Sequence, residues 1–354
     1  MGSGKIGRRF FEERIRPRLG ADRPDVTLGP AHGCDFGVIE PGRESLDRSN
    51  DDRPGTDRRH ADLDAVVVAT DPISVLPSLG YDRAGRFALH IALSDVAVSG
   101  IPPSHLSIAF ALPTDFDDAA FTALWTAIHE ECDRLGIAVT TGHTARYPGA
   151  ELPWVGAATV LGIGSPERIV RPDGARPGDS LVVTRGPAVE ATGLFASLFP
   201  DAIDRPAETV ATAQRRLDDV RLVEDALAAC EAGTVHAMHD ATEGGLLGAL
   251  HETASASGVR FVVDSDSVPV APGVNAVCEA LGMDPWRATT SGTLLASVAP
   301  ADATTVAETL RSRGTPAAVV GSVASGSGVL VDDEETSPPE GDASWPVYAE
   351  LSSA

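Results

Sequence analysis

The chain has 354 residues, 43% of them hydrophobic, and 28 Lys+Arg against 51 Asp+Glu give a net charge of −23. That apolar content builds buried cores and excludes a disordered protein, and the length suits two domains of ordinary size. The charge argues against nucleic acid or an anionic membrane as partner, and no apolar run approaches the roughly 18 residues of a membrane span. Lys5 is the only lysine. An acidic, lysine-poor surface suits a cytoplasm of high salt, so a halophilic source is expected. Cys34, Cys132, Cys230 and Cys278 are widely spaced, form no CxxC pair and follow no secretory leader, which points to reduced thiols in a cytoplasmic protein.

Residues 8–19 carry a helical pattern, and residues 41–62, rich in Arg, Asp, Gly and Pro, read as a solvated loop. The next segments alternate: a strand at 66–68, an apolar-faced helix at 87–98, a strand at 105–112, a helix at 117–135, then strands at 137–140 and 155–162. A Pro- and Gly-rich stretch at 171–179 marks a domain boundary. The second half repeats the alternation: a strand at 181–183, a helix from Pro187, a long helix at 218–232 and a strand at 235–238. After it come a helix at 246–254, a strand at 259–263, a helix at 274–281, a strand at 293–298, a helix at 301–313 and strands at 317–320 and 329–331. From Asp332 the chain reads as an acidic surface tail. Alternating strands and helices predict sheets with helices packed on them.

The segment His239-Asp240-Ala241-Thr242-Glu243-Gly244-Gly245 has the shape of a strand, a tight turn and a helix start. Asp240 and Thr242 stand where N-cap residues stand, and Gly244 and Gly245 let backbone approach a ligand. Two other acidic turns share the style, Gly33-Cys34-Asp35-Phe36-Gly37 and the stretch from Ser94-Asp95 to Ser99-Gly100. Thr70-Asp71-Pro72 places a further carboxylate at the end of the 66–68 strand, where open α/β sheets put ligands. Such carboxylates could converge on Mg²⁺, which takes oxygen ligands and shares them with phosphates. The plainer alternative is that each Asp caps its own helix or closes its own turn.

Gly2-Ser3-Gly4-Lys5 offers free N–H groups and one ammonium to phosphate. It is no Walker A loop, since no strand precedes it and Ile6 stands where Ser or Thr is required. Thr141-Gly142-His143-Thr144 ends the 137–140 strand, making His143 a candidate base or ligand. A zinc site from His32, Cys34, His143 and His239 lacks any ligand-pair spacing.

In this order the segments resemble the AIR synthase-related, PurM-like superfamily, whose members include the purine-pathway synthetase, selenophosphate synthetase, thiamine-monophosphate kinase and the hydrogenase maturation factor HypE. The archaeal HypE-like branch matches best. The resemblance rests on Gly4-Lys5, Gly33 to Gly37, Thr70-Asp71-Pro72, Ser94-Asp95 with Ser99-Gly100, Gly142-His143-Thr144, His239 to Gly245, and Ser291-Gly292-Thr293-Leu294-Leu295. It implies an α/β (α+β) fold of two domains, an N-terminal one over 1–170 that dimerises through its sheet and a C-terminal layered one over 176–331, before a tail at 332–354. It further implies ATP and Mg²⁺ as cofactors, with Asp35, Asp71, Asp95 and Asp240 as metal and phosphate anchors. Asp71, Asp95 and His143 are then the catalytic candidates. Gly2, Gly4, Lys5, Asp35, Thr144, Asp240, Thr242, Gly244 and Gly245 are the nucleotide contacts.

The shared chemistry is activation of an oxygen on an acceptor, here an unidentified small molecule or protein, as a phosphorylated intermediate. HypE proper carries a cysteine in its terminal tail, whereas here none follows Cys278, so thiocarboxamide dehydration is not expected. Ser94-Asp95 resembles the thiamine-monophosphate kinase pattern and leaves that activity as an alternative. Ala145, where relatives often carry Glu, leaves a non-catalytic nucleotide-binding assembly factor as another.

Overall fold

The computed structural model describes residues 8–19, 23–31, 33–41 and 64–353. Two mixed sheets organise the chain. The first has the order β1-β2-β3-β6-β4-β5, with β1 at Val26–Leu28, β2 at Gly37–Ile39, β3 at Ala65–Ser74, β4 at Pro103–Leu112, β5 at Ala138–Arg146 and β6 at Trp154–Gly164. Only β4 and β5 pair in parallel, and α3 (Asp118–Leu135) connects them. The second has the order β13-β12-β9-β11-β7-β10-β8. Its strands are β7 at Ser180–Thr184, β8 at Val235–Ala241, β9 at Arg260–Val263, β10 at Thr293–Val298, β11 at Ala317–Ala324, β12 at Gly328–Val331 and β13 at Glu334–Glu335.

Helix α2 (Tyr81–Ala97) packs on β3 and α3 and also touches α6 (Val223–Ala232) of the second half. Its buried Leu89, Leu93 and Val96 join a core that continues through Leu222, Ala226, Met238 and Leu294, so one apolar core ties both sheets. No helix among the described residues is long and apolar enough to cross a membrane.

Local periodicity located most elements, and α8 (Val274–Leu281) and β10 fall where it predicts. Strand lengths differ, and pairing explains it. β3 runs past Thr70-Asp71-Pro72 because β6 pairs with it throughout, Asp71 opposite Ala158 and Pro72 opposite Ala157. On the other side β2 reaches only Val66 to Val68, so Pro72 stands where a missing N–H is tolerated. Asp71 therefore lies within a strand, not at its end, and in mostly antiparallel sheets the rule about strand carboxyl ends does not locate a site. β5 likewise runs through Gly142, His143 and Thr144. Asp240 is a strand residue opposite Leu294, and the N-cap of α7 (Gly245–Ser257) is Gly244, so neither Asp240 nor Thr242 caps that helix. Asp95 belongs to the last turn of α2 and not to a loop.

The expected long helix at 218–232 is a 3₁₀ turn, Arg215–Val220, followed by α6, and α5 (Ala207–Gln214) was not anticipated. The segment from Asp332, expected as a surface tail, carries β13 and α10 (Ser344–Ser353). Asp342 and Ser344 within it are buried, because they anchor the segment to the His239–Gly245 region.

Candidate active site between the two sheets

A cavity of about 550 Å³ opens between the two halves, within the size range of small-molecule sites. Asp35, Asp71 and Asp95 all line it, although they come from the loop before β2, the middle of β3 and the end of α2. Thr242 and Glu243 enter from the turn after β8, Glu190 from α4 (Val189–Leu198) and Glu252 from α7. No Lys or Arg is among the described lining residues. Apolar and aromatic residues complete the lining: Phe87 and Ile91 of α2, Leu194 and Leu198 of α4, and Trp345 and Tyr348 of α10.

The acidic end is tightly built. Asp35, His239 and Asp240 each present a ligand atom, all within 4.8 Å of one another. His239 Nδ1 lies 3.3 Å from Asp35 Oδ2 and 3.9 Å from Asp240 Oδ1. The same nitrogen donates to the Asp240 carbonyl at 2.7 Å, and Nε2 donates to Glu252 Oε2 at 3.0 Å. Burial by itself lowers the pKa of His239, but Asp35, Glu252 and Asp240 together outweigh it and lift the ring to about 10. The imidazole is thus a cation held among three carboxylates. Gly33 lets this happen: its φ is +75°, and a Cβ there would sit 3.0 Å from Glu252 Cβ, so only glycine brings the Asp35 loop against α7.

The donor set tests whether a divalent cation fits. Asp35 and Asp240 offer hard oxygen ligands at one point, with Asp71 and Asp95 lining the same cavity, which is what Mg²⁺ takes and what a triphosphate in an acidic cavity requires. Among the described residues no zinc set is assembled. His143 is exposed on β5 and bonds Tyr147 Oη at 2.9 Å. Burial, then Asp35, pushes the Cys34 thiol up to about 11, and Cys34 donates to the Phe36 carbonyl. His32 lies outside the described residues.

Other expected residues are placed differently. His143 and Thr144 are not among the cavity's lining residues. The Gly244 N–H donates to Asp342 Oδ2 at 2.7 Å, so it is spent on the C-terminal segment and not on phosphate. Gly245 is required by packing: at φ +66° a Cβ would lie 2.5 Å from the Trp286 carbonyl oxygen. Gly2, Gly4 and Lys5 lie outside the described residues.

The residues that sequence reasoning missed are Glu190, Glu252, Trp345 and Tyr348, together with the cationic role of His239. A signal existed for two of them. Glu190 is the one charged residue of α4 and Glu252 the one acid of α7, each in an otherwise small and apolar helix. Such isolated charges are seldom buried without a partner.

Family models place this architecture. Residues 56–163 match the N-terminal domain and residues 176–333 the C-terminal domain of AIR synthase related protein. The chain belongs to the AIR synthase related protein family. Within that family it is similar to carbamoyl dehydratase HypE of Rhizobium leguminosarum bv. viciae, at 30% identity over 263 residues, 73% of each chain. The crystal structure of E. coli HypE, a hydrogenase maturation protein, superposes with a TM-score of 0.65 at 26% identity, covering 78% of this chain and 87% of that one. A HypE structure in complex with ATP shares the fold, with a TM-score of 0.61 at 22% identity over 91% of this chain and 87% of that one.

Proposed function

We propose that this enzyme of the AIR synthase related family binds Mg²⁺ and ATP in the inter-sheet cavity and activates an oxygen of an acceptor by phosphorylation. The observation that carries the reading is the convergence of Asp35, Asp71 and Asp95, from three separate elements, on one cavity. Were each merely tying off its own helix, nothing would bring them together. Asp35, Asp71, Asp95 and Asp240 would hold Mg²⁺, which when bound neutralises charge on the transferred phosphoryl group. His239 balances the acids, and Glu252 fixes its ring. The HypE relatives, one of them solved with ATP, support the same reading.

The reading includes an N-terminal domain over 1–170, a C-terminal one over 176–331, and a homodimer. β5 is exposed along nearly its whole length, and Val139, Trp154 and Ile163 leave 42%, 54% and 47% of their surface uncovered. An edge strand and apolar residues so exposed favour a second copy as cover. Light scattering on the purified chain tests this, and a monomer would refute it.

Activity is tested by phosphate release from ATP with Mg²⁺. The D71N variant should lose turnover and keep its fold, and unchanged turnover would contradict the assignment. The thiamine-monophosphate kinase alternative rests on Ser94-Asp95. Ser94 Oγ donates to the His90 carbonyl inside α2, so Asp95 alone reaches the cavity. Formation of thiamine diphosphate from the monophosphate and ATP would revive that alternative.

A further inference from the structure

Helix α2 borders two cavities. Ile91 and Asp95 line the large one, whereas Arg83, Arg86 and His90 line a much smaller one of about 10 Å³. Leu217 and Asp218 of the 3₁₀ turn Arg215–Val220, with Arg221 just after it, close the small cavity from the other side. It has room for one water-sized sphere. In a chain of net charge −23 its lining is basic: Arg83, Arg86 and Arg221 face it, and Asp218 is the single carboxylate among the described lining residues. Arg86 pairs with Asp82 at 2.9 Å and Arg83 donates to the Gln214 carbonyl at 3.1 Å. Arg221 is exposed and forms an ion pair with no described residue.

His90 supplies the buried end. Its side chain is 2% exposed, and Nε2 donates to Glu131 Oε1 at 2.7 Å. Arg134 bonds the same carboxylate at 2.6 Å and pairs with Glu224 of α6, so Glu131 stays charged and fixes the tautomer of the ring. Nδ1 then carries a lone pair, and it has no hydrogen-bond partner among the described residues. A buried polar atom left in that condition costs free energy until a partner reaches it. Tying α2 to α3 needs Nε2 alone. It accounts neither for Nδ1 nor for three guanidinium groups gathered at the same small cavity. Burial first, then Arg221 and Arg134, oppose a charge on the ring, against the pull of Glu131. A negative ion among the arginines would offset that opposition and let Nδ1 take a proton.

We propose that this cavity binds one monatomic anion, with chloride as its simplest occupant, held by a protonated His90 Nδ1 and by the guanidinium groups of Arg83, Arg86 and Arg221. Each ion enters with one proton from solvent, which goes onto Nδ1. The charged groups around the ring support this: Arg83 and Arg86 on its own helix, Glu131 and Arg134 on α3, and Asp218 and Arg221 at the 3₁₀ turn. Arg134 neutralises Glu131, so three cations face the cavity against one carboxylate. The site does not depend on the nucleotide reading of the acidic cavity.

The linewidth of the chloride NMR signal over the full chain tests this, at constant ionic strength made up with sodium gluconate. The parent should broaden the line saturably, bromide should compete, and sulfate, too large for the cavity, should not. Affinity should weaken by on the order of tenfold or more from about pH 5.5 to about pH 7.5, as His90 gives up the proton that the ion requires. H90Q, which does not titrate, should lose that pH dependence. R221Q, at an exposed position that leaves the fold intact, should weaken binding at about pH 5.5 by on the order of tenfold. It keeps the test open if H90Q loosens the contact between α2 and α3. Absence of saturable broadening would mean that the cavity takes a water only and would overturn the site. Binding in the parent that ignores pH, equal binding in R221Q and parent, or competition by sulfate would overturn it as well.

Discussion

His239 Nδ1 and Asp35 Oδ2 lie 3.3 Å apart and join the second sheet to the loop that feeds the first. The pair is fully inside the molecule, with 1% and 6% of the side chains exposed. A charge pair placed there is costly unless it is completed, and Asp240 and Glu252 complete it.

Removing the imidazolium leaves three carboxylates without their shared cation. Breaking a buried charge set in this way costs about 3–5 kcal/mol. H239A should therefore melt well below the parent in EDTA, and Mg²⁺ should restore part of the loss by taking the cation's place. Scanning calorimetry with and without Mg²⁺ decides it. An identical drop under both conditions would show that no divalent cation enters this cluster.

A second prediction concerns acid. His90 Nε2 donates to Glu131 Oε1 at 2.7 Å between α2 and α3. Burial lowers His90 below its ordinary 6.5, against the pull of Glu131. The His90 hydrogen bond holds Glu131 far below its ordinary 4.5, against burial and with help from Arg134. Both folded values lie below the unfolded ones, so both contributions are present at neutral pH and are lost as pH falls. The loss from His90 begins below 6.5 and that from Glu131 below 4.5. Melting temperature should fall between about pH 7 and pH 5, and H90Q, whose amide does not titrate, should flatten that fall. A parent curve flat over this range would contradict the assignment.

The C-terminal segment is held to the turn after β8 by Asp342, through the Gly244 N–H on Oδ2 and the Ser344 N–H on Oδ1. D342A leaves a buried N–H without its acceptor, a cost of about 1–3 kcal/mol. Hydrogen exchange should quicken at Gly244 and along α10 while the strands of the first sheet stay protected. Unchanged exchange in α10 would show that other contacts hold it.

What the sequence made legible and what it hid divide along physical lines. β10 and α8 were readable because their periodicity is local and strong. Asp35, Asp95 and Asp240 stood out through nearby glycines and Asp71 through its place after the 66–68 strand, and the family resemblance grouped the four. Their setting was not readable, because Asp71 and Asp240 lie within strands for a reason far away in the chain. β6 extends β3, and β10 extends β8. Glu190, Glu252, Trp345 and Tyr348 were hidden for a related reason. They meet the aspartates only once α4, α7 and α10 have packed around the same cavity, and no spacing along the chain records that.

The central claim is that scattered aspartates form one magnesium-triphosphate site, and equilibrium binding tests it most directly. Titration calorimetry of a non-hydrolysable ATP analogue should show saturable binding that requires Mg²⁺ and weakens by on the order of tenfold or more in D35N and in D71N, with melting temperatures of D71N and parent alike. Binding that is equally strong in EDTA, or unaltered in both variants, would contradict it.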